Sequence, residues 1–217
     1  MANYKLYGLT TDRMPPRVAD YVGYKFPAMV EVPAGYGGDR GIRGGPAKVE
    51  EIFAGAFREL ELCARRDACN AHFRALGAGL GLSDILGGWT LSFFAFAPQG
   101  AEGQWPESDA GLTLAQVVGT YKATSFAEIG VHITSLRSAE YLAGTILHEL
   151  AHVAGAPGAS AEDASQHAKG RLPAADVRRL HQAEKAVLTC GLRRQYKQNV
   201  IGALDRMSRG PGGGRPV

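Results

Sequence analysis

The chain predicts an α+β domain, with helices packed against a small sheet, and three observations carry that expectation. Residues 47–63 place Val49, Ile52, Phe53, Ala56, Phe57, Leu60 and Cys63 at helical spacing, which gives an amphipathic helix with one core face. Residues 89–97 bring Leu91, Phe93, Phe94 and Phe96 together in a run of strand-favouring aromatic and aliphatic side chains. Residues 138–154 and 173–190 return to helical patterning.

Taken in order, residues 1–46 are rich in Gly, Pro and Tyr, with turn signals at Pro15-Pro16, Pro33 and Gly35-Tyr36-Gly37-Gly38. An irregular lead-in is expected there, with one short strand near residues 28–32. The first helix follows, then a short second one over residues 68–76 that ends in Gly77, Gly79 and Gly81. After the aromatic strand comes a polar Gly/Pro-containing loop, residues 98–111. Residues 117–124 and 128–134 are then expected to pair as a hairpin across Ser125-Phe126-Ala127. The two later helices complete a single domain over residues 1–205. Residues 206–217, with Arg206, Arg209, Arg215 and a Gly/Pro run, read as a disordered tail.

Composition narrows the function classes. At 217 residues the chain is long enough to bury a core without staples, and 45% hydrophobic with 21% charged residues matches a globular protein. A net charge of +3, partly from the tail, is too small to argue for nucleic acid. No run approaches a membrane span and no apolar stretch follows Lys5, so the expected location is cytoplasmic, or exported without a cleavable signal peptide. The three cysteines lack any thiolate zinc spacing. Cys63 and Cys69 could pair only if the helix breaks near Arg65-Arg66-Asp67, which would leave Cys190 alone. Buried free thiols are the plainer expectation for all three.

The chemistry concentrates in His148-Glu149-Leu150-Ala151-His152. Two histidines four apart on a helix project from the same face and can both reach one ion. Glu149, about 100° around the helix from His148, can face water on that ion without ligating it, which is where a general base belongs. Residues 141–155 are otherwise apolar nearly all round, as in a buried helix, where ionisable groups are costly unless paired or metal-bound.

The segment Thr145-Ile146-Leu147-His148-Glu149-Leu150-Ala151-His152 resembles the active-site helix of the zincin superfamily of HExxH zinc metallopeptidases. The resemblance covers this helix and its immediate sequel. It implies Zn²⁺ as cofactor, His148 and His152 as ligands, Glu149 as catalytic base and hydrolysis of peptide bonds in a peptide or protein substrate. It also implies a zincin-like fold: a small, mostly antiparallel sheet against an active-site helix and a second C-terminal helix, with an edge strand between residues 89 and 134 holding extended substrate.

The third ligand divides such enzymes. The metzincin pattern would place it at Gly158, which cannot ligate, and Gly155 reads better as a helix C-terminal cap before Pro157. The gluzincin pattern takes a glutamate from a later helix. Glu184 falls within the apolar stripe Val177, Leu180, Val187 and Leu188, where a carboxylate is expensive without a cation. Glu162, Asp163 and His167 in the intervening loop are the competing ligands; Ser160 and the two acids also read as a capped helix start. His181, one turn before Glu184, is assigned a catalytic role as donor to the substrate carbonyl, or a supporting role behind the ligands; Tyr196 is the other donor candidate. His72 and His132 read as structural.

A looser similarity joins residues 148–158, Ala183-Glu184 and Cys190-Gly191 to small bacterial metallopeptidase domains, some of them toxin or effector modules. That similarity implies a cognate inhibitor or immunity protein as a partner. The competing function from another class is a catalytically silent, zinc-stabilised binding module.

Overall fold

Parallel strand pairing organises the sheet, because its central strand is buried on both faces. The computed structural model describes residues 2–7, 9, 26, 30–32, 42–96, 115–158, 175 and 181–192. The strands among these residues are β1 (Asn3–Leu6), β2 (Val30–Val32), β3 (Ile42–Gly44), β4 (Thr90–Phe96), β5 (Ala115–Tyr121) and β6 (Phe126–His132). The helices are α1 (Pro46–Ala64), α2 (Asp67–Arg74), α3 (Leu82–Gly88), α4 (Ala139–Val153) and α5 (Gln182–Thr189). The expected loop 98–111, the tail 206–217 and residues Val177, Leu180, Glu162, Asp163, His167 and Tyr196 lie outside the described residues.

The main sheet has strand order β1-β4-β6-β5, and β2 pairs with β3 in a separate antiparallel ribbon. β1 and β6 both run parallel to β4, and only β5 is antiparallel, on the β6 edge. The expected mostly antiparallel sheet is therefore corrected to a mixed one. Leu91, Ser92, Phe93, Phe94 and Ala95 are all buried, the continuous pattern of a strand covered on both sides rather than the alternation of a half-solvated hairpin. The hairpin between β5 and β6 does form. It turns through a short 3-10 segment, Lys122–Thr124, and Ser125 in the left-handed region, so it begins before the expected Ser125-Phe126-Ala127.

The lead-in also holds more order than its composition suggests. Asn3–Leu6 is an edge strand in register with Thr90 to Phe93. Leu6 is buried and the Tyr4 ring stacks on Phe57 at 4.1 Å between centroids. β2 sits where the one short strand is expected.

α1 starts at Pro46, a residue suited to the first helical turn because its missing N–H has no intrahelical partner there. The predicted stripe, Val49 through Cys63, is its buried face. Phe53 and Phe57 meet Phe93 of β4 at 5.3 and 5.8 Å, which seats the helix on the sheet. Gly55 lets α4 approach closely, since a Cβ there would lie 2.7 Å from the Ala139 Cβ. α3 has no counterpart in the sequence reading: its buried Leu82, Ile85 and Leu86 occupy two turns ringed by glycines that suggested a loop. Asp84 accepts from the Gly81 N–H at 2.8 Å and fixes its first turn.

α4 is buried almost all round, as expected from residues 141–155. Leu142 through Leu147, Leu150, Ala151 and Val153 are in the core. Ser138 caps it by accepting from the Tyr141 N–H at 3.1 Å. α5 packs beside it through Ala183, Ala186 and Val187.

The expectation of buried free thiols holds for Cys63 and is overturned for the other two cysteines. Cys69 and Cys190 form a disulfide across 121 residues of chain, and Cys63 is the free, buried thiol. α1 does break near Arg65-Arg66, but the break turns Cys69 towards the end of α5 rather than back to Cys63. Closing so long a loop constrains the unfolded chain by roughly 4–5 kcal/mol in the chain-entropy account.

Candidate metal centre

His148 and His152 stand one turn apart on α4 with Nε2 atoms 3.2 Å from each other. Their rings meet edge to face, with centroids 4.9 Å apart at an interplanar angle of 72°. The helical period places the two side chains on one face, and their remaining nitrogens explain why they converge.

His152 is oriented by the end of its own helix. Gly155 takes φ +106°, and the chain closes with Gly155 N–H on the His152 carbonyl at 3.0 Å and Ala156 N–H on the Ala151 carbonyl at 2.9 Å. This is the Schellman arrangement, which needs a residue tolerant of the left-handed region at Gly155. The same turn brings the Ala156 carbonyl to 3.0 Å from His152 Nδ1. With Nδ1–H donating to that carbonyl, Nε2 is left as the lone-pair nitrogen. The predicted cap therefore also orients a predicted ligand.

His148 is oriented from α5. Its Nδ1 lies 3.3 Å from Glu184 Oε2. Burial works against charge on His148, but the adjacent Glu184 carboxylate and then Glu149 outweigh it and hold the imidazole above the ordinary histidine range. Glu184 thus lies beside His148 and addresses the nitrogen facing away from His152. Among the described residues, no three His, Cys, Asp or Glu side chains are grouped as a metal ion would require.

Glu149 points between α4 and the sheet. It is 5% exposed, and its Oε2 accepts from the Val117 N–H at 2.9 Å. Val117 lies on β5, next to the register shift between Val117 and Gly119 that distinguishes this edge strand. Burial pushes the Glu149 carboxyl up, while His148, His152 and the Val117 N–H pull it back down. The 20% and 17% side-chain exposure of His148 and Glu184 leaves this side of the cluster reachable by solvent, unlike Glu149.

His181 is the N-cap residue of α5, one turn before Glu184, and is half-buried. His132 is buried on β6 and His72 is half-buried on α2. Burial, then Lys185, lower the His72 pKa against a backbone hydrogen bond at Gln182.

Two groups in this frame have no side-chain signature. The Val117 N–H and the Ala156 carbonyl belong to the main chain, and only Gly155 before Ala156-Pro157 hinted at the second. Comparison with protein-family models, curated proteins and solved structures returns no match for the chain. Among the described residues, no helix is long and apolar enough to cross a membrane.

Proposed function

We propose that the chain is a zinc-dependent metallopeptidase of zincin type, hydrolysing peptide bonds with Glu149 as general base. The observation that carries the reading is the 3.2 Å separation of the His148 and His152 Nε2 atoms. Two nitrogens bound to one tetrahedral zinc at about 2.0–2.1 Å lie about 3.3 Å apart, so the pair fits the ion with little movement. When bound, zinc polarises the scissile carbonyl and lowers the pKa of attacking water to near neutrality.

The remaining work falls to the chain. The Ala156 carbonyl accepts from the His152 Nδ1–H at 3.0 Å, and Glu184 Oε2 lies 3.3 Å from His148 Nδ1 as an ion-pair contact, so both rings are oriented to offer Nε2. Glu149 is held by the Val117 N–H through one oxygen and uses the carboxylate to take a proton from the attacking water and pass it to the leaving amine. Among the described residues β5 is an outer strand of the sheet, with Val117 beside this carboxylate, a fitting place for an extended peptide. His181 is the donor proposed for the substrate carbonyl, and His181→Phe is expected to lower kcat while sparing metal.

Two roles suit Glu184. As third ligand, it supplies zinc with a carboxylate from α5; as an orienting acceptor, it keeps its contact with His148 Nδ1. The 3.3 Å contact favours the second role. The test is metal stoichiometry of the purified chain together with peptide hydrolysis before and after chelation. One zinc per chain and activity restored by zinc support the reading, and failure to take up any divalent metal would remove it. A bacterial effector role with a cognate inhibitor, as the looser similarity implies, is the biological setting proposed.

A further inference from the structure

We infer that the Cys69–Cys190 disulfide is a redox lock on α5, so that the helix carrying Glu184 is held against His148 only in the oxidised chain. The inference rests on the metallopeptidase reading for its consequence, but its structural half stands independently.

α5 packs against α4 and α2 but is short for the element that carries Glu184. It has eight residues, too few for a helix to persist alone, and its buried side chains are the small Ala183, Ala186 and Val187. α1, by contrast, buries Phe53, Phe57, Leu60 and Ile52. The C-terminus of α5 is instead gathered at Cys190. There the disulfide joins it to α2, and the Cys190 carbonyl accepts from an Arg66 guanidinium N–H and from the Cys63 thiol at 3.3 Å. Gly191 in the left-handed region and Leu192 close the helix with bonds to Leu188 and Val187. Six residues separate Cys190 from Glu184, about 9 Å along a helix. The anchor therefore acts on Glu184 through less than two turns.

Opening the lock is a balanced exchange. One sulfur of a dithiol reductant attacks a cysteine Sγ, breaking the Cys69–Cys190 bond and forming a mixed disulfide. The second sulfur displaces the protein thiol, and the reductant leaves as its own disulfide after giving up two electrons. Cys69 and Cys190 each end as thiols. Both cysteines are fully buried, so exchange follows local opening of α5 rather than direct attack. Burial pushes the Cys63 thiol up, which keeps it protonated and a poor nucleophile beside the bridge. Disulfides persist in oxidising compartments and are reduced in most cytosols. The site would thus be complete in an oxidising compartment and loosened in a reducing one.

The test uses the full chain in oxidised and dithiol-reduced buffer, with hydrogen exchange read by mass spectrometry and zinc affinity read by chelator competition. Peptide mapping without reductant should give a Cys69–Cys190 linked pair and a free Cys63. On reduction, amides of α5 should exchange at least about tenfold faster while α1 and β6 keep their protection, and zinc affinity should fall about 10–100-fold. The double variant Cys69→Ala/Cys190→Ala should behave as the reduced chain in either buffer, and Cys63→Ala as the parent. Unchanged α5 exchange on reduction would overturn the lock, as would loss of protection in α1 and β6 together with α5. Absence of zinc binding in both redox states would instead remove the peptidase reading, and the exchange comparison would still decide the lock.

Discussion

Replacing Glu149 by glutamine changes a charge and almost nothing else, which makes it the sharpest perturbation of the site. The side chain is 5% exposed and its one described hydrogen bond is the 2.9 Å contact from the Val117 N–H. A glutamine amide oxygen can accept that bond, so no main-chain donor is stranded and the usual cost of about 1–3 kcal/mol for an unsatisfied buried group is avoided. Glutamine also removes a carboxylate that burial disfavours in its charged form. Stability should therefore hold or rise slightly. Neither histidine loses its Nδ1 partner, so zinc content should be unchanged. What disappears is the proton acceptor, and general-base catalysis contributes about 10²–10⁴-fold, or about 2.7–5.5 kcal/mol of barrier. The assay is turnover of a mixed peptide pool followed by mass spectrometry, with metal analysis and denaturant unfolding on the same samples. Activity within about threefold of the parent, with zinc bound, would refute the general-base assignment. Loss of zinc in Glu149→Gln would refute the claim that Glu149 stands outside the ligand set.

Glu184→Ala should cost zinc affinity in either role, and Glu184→Gln separates them: an orienting acceptor is largely rescued by the amide oxygen, whereas a ligand is not, as chelator competition will read. Gly155→Ala should destabilise the chain by about 1–2 kcal/mol from the left-handed backbone alone, since its Cβ would also lie 2.8 Å from the Leu76 carbonyl; it should weaken zinc binding as well by shifting the Ala156 carbonyl, and unfolding with metal titration checks both. In chelator, the chain should lose stability as pH rises: Glu149 and His148 are both raised in the folded state, so the stability they contribute is complete below their ordinary values of 4.5 and 6.5 and is lost as pH passes their raised values. Zinc competes with the His148 proton, so zinc affinity should rise over the upper part of that span; a flat stability profile from pH 5 to 8 would refute the sign.

The helices were legible because their evidence is periodic and local. The α1 stripe and the all-round apolar α4 could be counted residue by residue, and both ends of α4 carry signals, Ser138 before and Gly155 after. Sheet topology was not legible in the same way. Nothing in the sequence of β5 and β6 says that β6 enters between β4 and β5, because that order depends on which strand edges meet after a long connection. The buried run from Leu91 to Ala95 carried the clue, since a strand with no polar face suits parallel neighbours, yet aromatic enrichment alone does not distinguish it from a hairpin. β1 was hidden by its length: four residues with two exposed side chains give too little alternation to separate a strand from a loop. α3 was hidden by glycines at both ends. The disulfide was missed, three free thiols being expected, because nothing in the sequence brings Cys69 to Cys190 and pairing depends on how far apart the folded chain holds the Cα atoms.

The candidate site divides along the same line, and the division says what kind of site it is. Among the described residues, the side chains that meet at the site, His148, His152, Glu149 and Glu184, were visible, because imidazoles and carboxylates in an apolar helix are conspicuous by their cost. The groups that aim those side chains were not: the Val117 N–H and the Ala156 carbonyl have no residue type attached. Yet these two main-chain groups settle which nitrogen of His152 faces His148 and where Glu149 rests. A binding module built only to be stabilised by zinc needs the histidines aimed but has no use for a buried carboxylate pinned by a bulged edge strand. The Val117 contact thus argues for chemistry more strongly than the HExxH spacing itself, which a structural site could share. It follows that a change in β5 which leaves both histidines untouched, such as Val117→Pro, should lower turnover while sparing zinc content. Equal loss of both would mean that the strand supports the fold and not the base.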